Sequence, residues 1–186
     1  GFSSWLYLEE IIGESKAFWW SKDGRQLFFM RFGESKVKTT KIKSGSKRFY
    51  FQRYPYSGEN NPSVQLGIVD VSTHKIKWVK FGGLKDYYLR KPIITSDPGL
   101  LISWVNRRQD TLKLFQLNTI QGNARLLFTE TAKKWVTQYD EITLVNSLGD
   151  FIFKSDRSGW AHFYLYKKDK KQLFQITNGE YNVEHI

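Results

Sequence analysis

Short apolar and aromatic runs, each closed by turn residues, recur along this chain in groups of four. The last run of each group, at 75–81, 124–128 and 172–177, returns after roughly 45 to 50 residues, the length of a four-stranded propeller blade. The first group reads 17–20, 26–32, 64–71 and 75–81, with Ser21-Lys22-Asp23-Gly24 as the first hairpin turn because Gly supplies positive φ there. The second reads 93–95, a turn at Asp97-Pro98-Gly99, then 100–105, 112–117 and 124–128; the third reads 142–145, 151–155, 161–167 and 172–177. Outside the first dozen residues no apolar stripe recurs at helical spacing. The expected fold class is therefore all-β, a partial β-propeller of about three four-stranded antiparallel blades with a short helical segment near the N-terminus. The expected organisation is 1–16 as a leading segment, 17–83 as a blade with an inserted arm at 33–58, and blades at 84–131 and 132–186. Three blades do not close a ring, so the chain reads as an internal fragment of a larger propeller.

Composition supports strands and removes several function classes. Aromatic residues make up 17% of the chain, and such side chains suit pleated, half-buried surfaces. No apolar run approaches the roughly 18 to 20 residues of a membrane-spanning helix, so no span is expected in this segment. There is no cysteine, which removes disulfides, thiolate metal sites and a cysteine nucleophile. No Gly-x-Ser-x-Gly occurs, and the three histidines, His74, His162 and His185, lack metal-ligand spacing and read as surface or capping residues. Glycines stand singly at turns, without the strand-loop-helix context of a phosphate loop, so neither a metal nor a cofactor is expected.

The net charge of +11 together with many aromatics raises nucleic-acid binding, since lysines neutralise phosphates and rings stack on bases. The lysines are scattered over turns and the insertion, however, and no RNA-recognition sheet motif is present. A nucleic-acid partner is accordingly not expected. The insertion at 33–58 carries Lys36, Lys38, Lys41, Lys43, Lys47 and Arg48 and ends in Phe49-Tyr50-Phe51. It reads either as a solvated β-ribbon or as an interaction arm with an aromatic tip that docks on a partner.

In the leading segment Ser4 is placed to cap a short helical turn and Gly13 to end it, with Glu9 and Glu10 side by side between them. Adjacent carboxylates usually mean only a solvated surface. Held together, they repel each other, and a bound ammonium relieves that repulsion while offering three N–H donors to acceptor-only oxygens. Such a pair can select a free amine.

The residues around the pair, Trp5-Leu6-Tyr7-Leu8-Glu9-Glu10-Ile11-Ile12, followed by Phe18-Trp19-Trp20-Ser21-Lys22-Asp23-Gly24, resemble the N-terminal propeller of the dipeptidyl peptidase IV family. Tyr54-Pro55-Tyr56-Ser57-Gly58-Glu59-Asn60-Asn61-Pro62, Ser103-Trp104-Val105-Asn106-Arg107 and Ser155-Asp156-Arg157-Ser158-Gly159-Trp160-Ala161-His162 continue the likeness over nearly the whole chain. The resemblance implies an eight-bladed propeller joined to an α/β-hydrolase domain, in a serine exopeptidase that releases N-terminal dipeptides with a preference for Xaa-Pro. It implies that Glu9 and Glu10 bind the α-amino group of a peptide substrate with a free N-terminus and so set the cleavage register. It also places an aromatic substrate contact at Tyr139, beside Asp140, where the family carries a basic residue. No residue of the Ser-Asp-His triad is legible here, so this segment alone is not expected to hydrolyse a peptide. The arm at 33–58 is similar to the family's propeller arm, which implies a homodimer, and the absence of cysteine is similar to bacterial, periplasmic members. Two other readings stand beside this one: a noncatalytic propeller module whose basic arm binds an acidic partner, and, less favoured, a basic nucleic-acid-binding β-domain.

Overall fold

In the computed structural model the described residues are 2–95, 99–137, 142–146 and 148–185. The chain divides into two compact units, Gly1–Leu89 and Arg90–Ile186. The first unit opens with a helical turn that ends as a π-helix at Tyr7–Ile11. Its strands are β1 (Phe18–Trp20), β2 (Gln26–Gly33), β3 (Thr39–Ser44), β4 (Arg48–Arg53), β5 (Ser63–Asp70), β6 (Ile76–Trp78) and β7 (Tyr87–Leu89). Strands β1-β2-β5-β6 form a four-stranded antiparallel sheet, and β3 and β4 form a separate two-stranded ribbon inserted between β2 and β5.

The period of two explains the core of this sheet. Phe28 and Met30 on β2 lie opposite Ile68 and Leu66 on β5, and all four are buried, while Arg31 and Gln65, one position along, are exposed. Gly67 on β5 is the position where a side chain does not fit. A Cβ there would stand 2.5 Å from the Phe29 ring and 3.1 Å from that of Trp78, two rings packed edge to face at 5.4 Å. The helical turn buries Leu6, Tyr7 and Ile11. The Tyr7 ring packs 4.7 Å from Phe32, and its hydroxyl accepts the backbone N–H of Leu89 at 3.3 Å. Burial raises the Tyr7 phenol far above its ordinary range, so it is held neutral.

The second unit contains β8 (Ile93–Ile94), β9 (Gly99–Asn106), β10 (Thr111–Asn118) and β11 (Asn123–Thr131), then β12 (Ile142–Leu144), β13 (Phe151–Ser155), β14 (His162–Lys167) and β15 (Gln172–Gln175). Strand β8 pairs with β9, β9 with β10 and β10 with β11, while β12-β13-β14-β15 form the next antiparallel sheet in chain order. A register shift after Leu114 bulges β11 at Leu127. The core joins Leu101 and Leu114 from the first of these sheets to Phe151, Phe153, Tyr164 and Tyr166 from the second. Stacked rings fill it, Phe128 on Phe153 at 4.7 Å and Phe151 on Tyr166 at 4.8 Å.

This is the expected all-β class, built of consecutive four-stranded antiparallel sheets as in propeller blades, with the helical turn at the N-terminus. Several particulars differ from expectation. Strand β6 stops at Trp78, and β7, three residues between Asp86 and Arg90, carries no alternation that would announce it. The aromatic run of the insertion is not a tip: residues 45–47 make the turn, and Phe49, Tyr50 and Phe51 lie along β4. His162 is buried rather than superficial. Its Nδ1 lies 3.1 Å from Thr177 Oγ1 and its Nε2 2.9 Å from the Gly179 carbonyl, so it ties β14 to the segment after β15. Asp97 and Pro98 of the expected turn lie outside the described residues.

Candidate functional site

Ser4 approaches as a cap, with its Oγ 3.5 Å from the Tyr7 backbone N–H, and Leu8 N–H donates to the Ser4 carbonyl at 2.9 Å. Ile12 N–H then reaches the Tyr7 carbonyl at 2.8 Å, an i→i−5 bond that widens the turn, and Gly13 leaves it at φ 72°. Widening lowers the angle between successive side chains. With Leu6, Tyr7 and Ile11 buried on one side, Glu9 and Glu10 emerge together on the other, both exposed.

Each carboxylate is held by one aromatic donor. The Trp5 indole N–H donates to Glu9 Oε1 at 3.0 Å, and the Tyr54 hydroxyl donates to Glu10 Oε1 at 2.8 Å. The Trp5 ring meets the Tyr54 ring edge to face at 5.1 Å and that of Tyr50 at 6.3 Å, so the β3–β4 ribbon and the segment that leaves it brace the glutamate turn. The bond to Glu10, then burial, then the charges of Glu10 and Glu9 raise the Tyr54 phenol above its usual range, which places both carboxylates near one hydroxyl. The second oxygen of each glutamate accepts no hydrogen bond among the described residues, and neither forms an ion pair there, in a chain with 29 Lys and Arg. In a strongly basic protein, two anchored carboxylates without a cation leave room for a cation from outside.

The ribbon is itself fixed at its base. Arg53 donates to the carbonyls of Glu34 and Val37 at 3.1 and 2.8 Å, Thr40 Oγ1 donates to the Tyr54 carbonyl at 2.9 Å, and Lys38 pairs with Glu59. Tyr139, the expected aromatic contact, and Asp140 beside it lie outside the described residues. The residues that sequence reasoning missed are Trp5, Tyr50 and Tyr54. A tyrosine 44 positions from Glu10 gives no periodic signal, although Tyr54 stands at the head of a motif already singled out. In the second unit, Ser155 and Arg157 of another such motif both bond to the buried Glu130, a structural arrangement.

Comparison with known proteins bears on the family and the fold. The family model of the dipeptidyl peptidase IV N-terminal region matches residues 1–186. The crystal structure of Porphyromonas gingivalis dipeptidyl peptidase 4 superposes with a TM-score of 0.88 at 26% identity, covering 100% of this chain and 27% of that one. The structure of a putative dipeptidyl aminopeptidase IV from Bacteroides ovatus superposes with a TM-score of 0.76 at 26% identity, over 90% of this chain and 27% of that one. A protein named probable dipeptidyl peptidase 4 from Emericella nidulans is 28% identical over 221 residues, spanning 100% of this chain. The chain thus spans about a quarter of the length of these relatives, 27% in each case.

Proposed function

The chain belongs to the dipeptidyl peptidase IV family, whose N-terminal region it matches throughout, and on that premise we propose that Glu9 and Glu10 form a clamp for the free α-amino group of a peptide substrate. The observation that carries this reading is the pair of carboxylates anchored by Trp5 and Tyr54, each with an oxygen left open and no cation beside it among the described residues. An α-ammonium supplies three donors and one positive charge, which matches two acceptor groups of negative charge. Fixing the amine fixes how far along the peptide the reacting bond lies, so the clamp measures out a dipeptide and contributes orientation to the reaction.

Bond cleavage in this reading belongs to an α/β-hydrolase domain of the same protein, and Xaa-Pro is the preferred dipeptide. Tyr139 would add an aromatic contact to the substrate pocket. The remainder of the reading, a homodimer and an extracytoplasmic location, follows from the family likeness.

The test is cleavage of a chromogenic Gly-Pro amide by the full-length protein, beside the same compound acetylated at its amine. Release from the free amine alone supports the clamp. Equal release from both means that the amine is not recognised.

A further inference from the structure

Between the two sheets of the second unit, the apolar core gives way to polar side chains toward the β10–β11 turn. The register sets Leu114 opposite Phe128, then, past the bulge, Gln116 opposite Arg125 and Asn118 opposite Asn123. Side chains two apart on a strand share a face, so Gln116 and Asn118 continue the row that Leu114 begins. Leu144, Asn146 and Lys168 come from the other sheet and its turns, and together these residues line a cleft of about 480 Å³. That volume is within the range of small-ligand sites.

The cleft is rich in open donors. Gln116 Oε1 accepts Arg125 Nη2 at 2.7 Å, and Asn118 Oδ1 accepts the backbone N–H groups of Ile120 and Gln121, both at 3.0 Å. Each amide thus uses its oxygen within the protein and leaves its NH2 open. The Lys168 backbone N–H donates to Asp150 at 2.9 Å, and its side chain lies over Gly149, where a Cβ would stand 3.1 Å from Lys168 Cδ and 3.4 Å from Nζ. The bare glycine leaves the ammonium its place in the wall. Asp150 itself pairs with Lys167, and neither Arg125 nor Lys168 has an anionic partner among the described residues. None of the described lining residues is acidic, and Lys170 and Lys171 add charge in the β14–β15 turn.

We infer that this cleft binds an acidic sugar, a uronic acid either free or as a residue of a polysaccharide. Two cations without a carboxylate call for an anion, and Arg125 and Lys168 meet the acid group. The open NH2 groups of Gln116 and Asn118 call for several acceptors on the same body, which the sugar hydroxyls supply. Leu101 and Leu144 offer carbon surface to the C–H face of the ring, which a bare phosphate or sulfate would not use. A nucleotide fits less well, because no described lining residue is aromatic and a base would have nothing to stack on. The inference does not depend on the amine clamp, whose two glutamates belong to the first unit.

The experiment is saturation-transfer NMR on the full-length protein, with galacturonate, its short oligomers and neutral galactose as probes and inorganic phosphate as competitor. The expected result is transfer to the acidic sugar and none to galactose. Arg125→Gln and Lys168→Gln should each weaken binding about tenfold while the melting temperature stays that of the parent. Transfer to free galacturonate supports the monosaccharide as ligand, and transfer to the oligomers alone, lost in the same variants, supports a polysaccharide. No transfer to either acidic probe overturns the inference, as does binding that both variants leave unchanged. Equal transfer to galactose overturns it too, since the acid group would then go unrecognised. Complete displacement by phosphate at equal concentration would overturn it in favour of a simple anion site.

Discussion

The Tyr54 hydroxyl donates to Glu10 Oε1 across 2.8 Å, joining two residues 44 positions apart in the chain. The bond makes the exit of the inserted ribbon part of the wall behind the carboxylate pair. It also explains why the ribbon can be long without loosening that site, since Arg53, Thr40 and Lys38 close its base through Val37, Tyr54 and Glu59.

Tyr54→Phe keeps the ring against Trp5 and removes only the donor. In the proposed clamp the expected effect is a rise in KM for free-amine dipeptide substrates of about five- to tenfold, the worth of about 1 kcal/mol for one solvent-exposed hydrogen bond. Thermal stability should stay close to that of the parent. A change in stability with KM unaltered would make Tyr54 a structural residue only. The raised phenol also has a sign: its stabilisation is complete below the ordinary tyrosine range and is lost as pH rises through the higher folded value.

Asp150 gives the opposite dependence. Its carboxylate accepts the Lys168 backbone N–H at 2.9 Å, Lys167 Nζ at 2.9 Å and Asn146 Nδ2 at 3.0 Å, which holds its pKa at about 2. A depressed carboxylate stabilises the fold above its unfolded value, near 3.9, and loses that contribution as pH falls toward about 2. Asp150→Asn should therefore lower the melting temperature at neutral pH, and the two melting curves should converge on acidification. Parallel curves from neutral pH to about 2 would contradict this role.

Glu130 on β11 is 8% exposed and pairs with Arg157 at 2.8 Å, while the guanidinium lies over the rings of Phe128, Phe153 and Tyr164 at 4.9 to 5.6 Å. Arg157→Met leaves a buried carboxylate with the Ser155 hydroxyl but no cation and should cost about 2–4 kcal/mol, reduced from a fully buried pair by the partial exposure of the arginine. Adding Glu130→Gln should restore much of the loss. Denaturant unfolding of the two single variants and the double variant measures the coupling, and simple additivity would show that the pair is unimportant.

The sheets were legible because alternation and turn residues encode them locally. Phe28, Met30, Leu66 and Ile68 alternate as a half-buried sheet requires, and Asp23-Gly24 marks the turn between β1 and β2. Strand β7 was not legible, since three residues are too few to display a period. The aromatic run at 49–51 looked like one patch in sequence. The strand period splits it, setting Tyr50, still exposed, on the face that meets Trp5 and Phe49 and Phe51 on the opposite one. Glu9 and Glu10 stood out as adjacent like charges, and the motifs around them carried the family likeness. Their anchors, Trp5 and Tyr54, depend on a wide helical turn and a long-range contact, neither of which leaves a pattern in the chain.

The clamp is tested most directly by Glu9→Gln and Glu10→Gln in the full-length protein, measuring kcat/KM on a Gly-Pro amide with a free amine and with an acetylated one. Glutamine keeps the size and the acceptor oxygen but removes the charge that an ammonium needs. The account predicts a loss of about ten- to a hundredfold on the free amine for each variant, so that the preference over the acetylated substrate shrinks. An unchanged preference in both variants would contradict it.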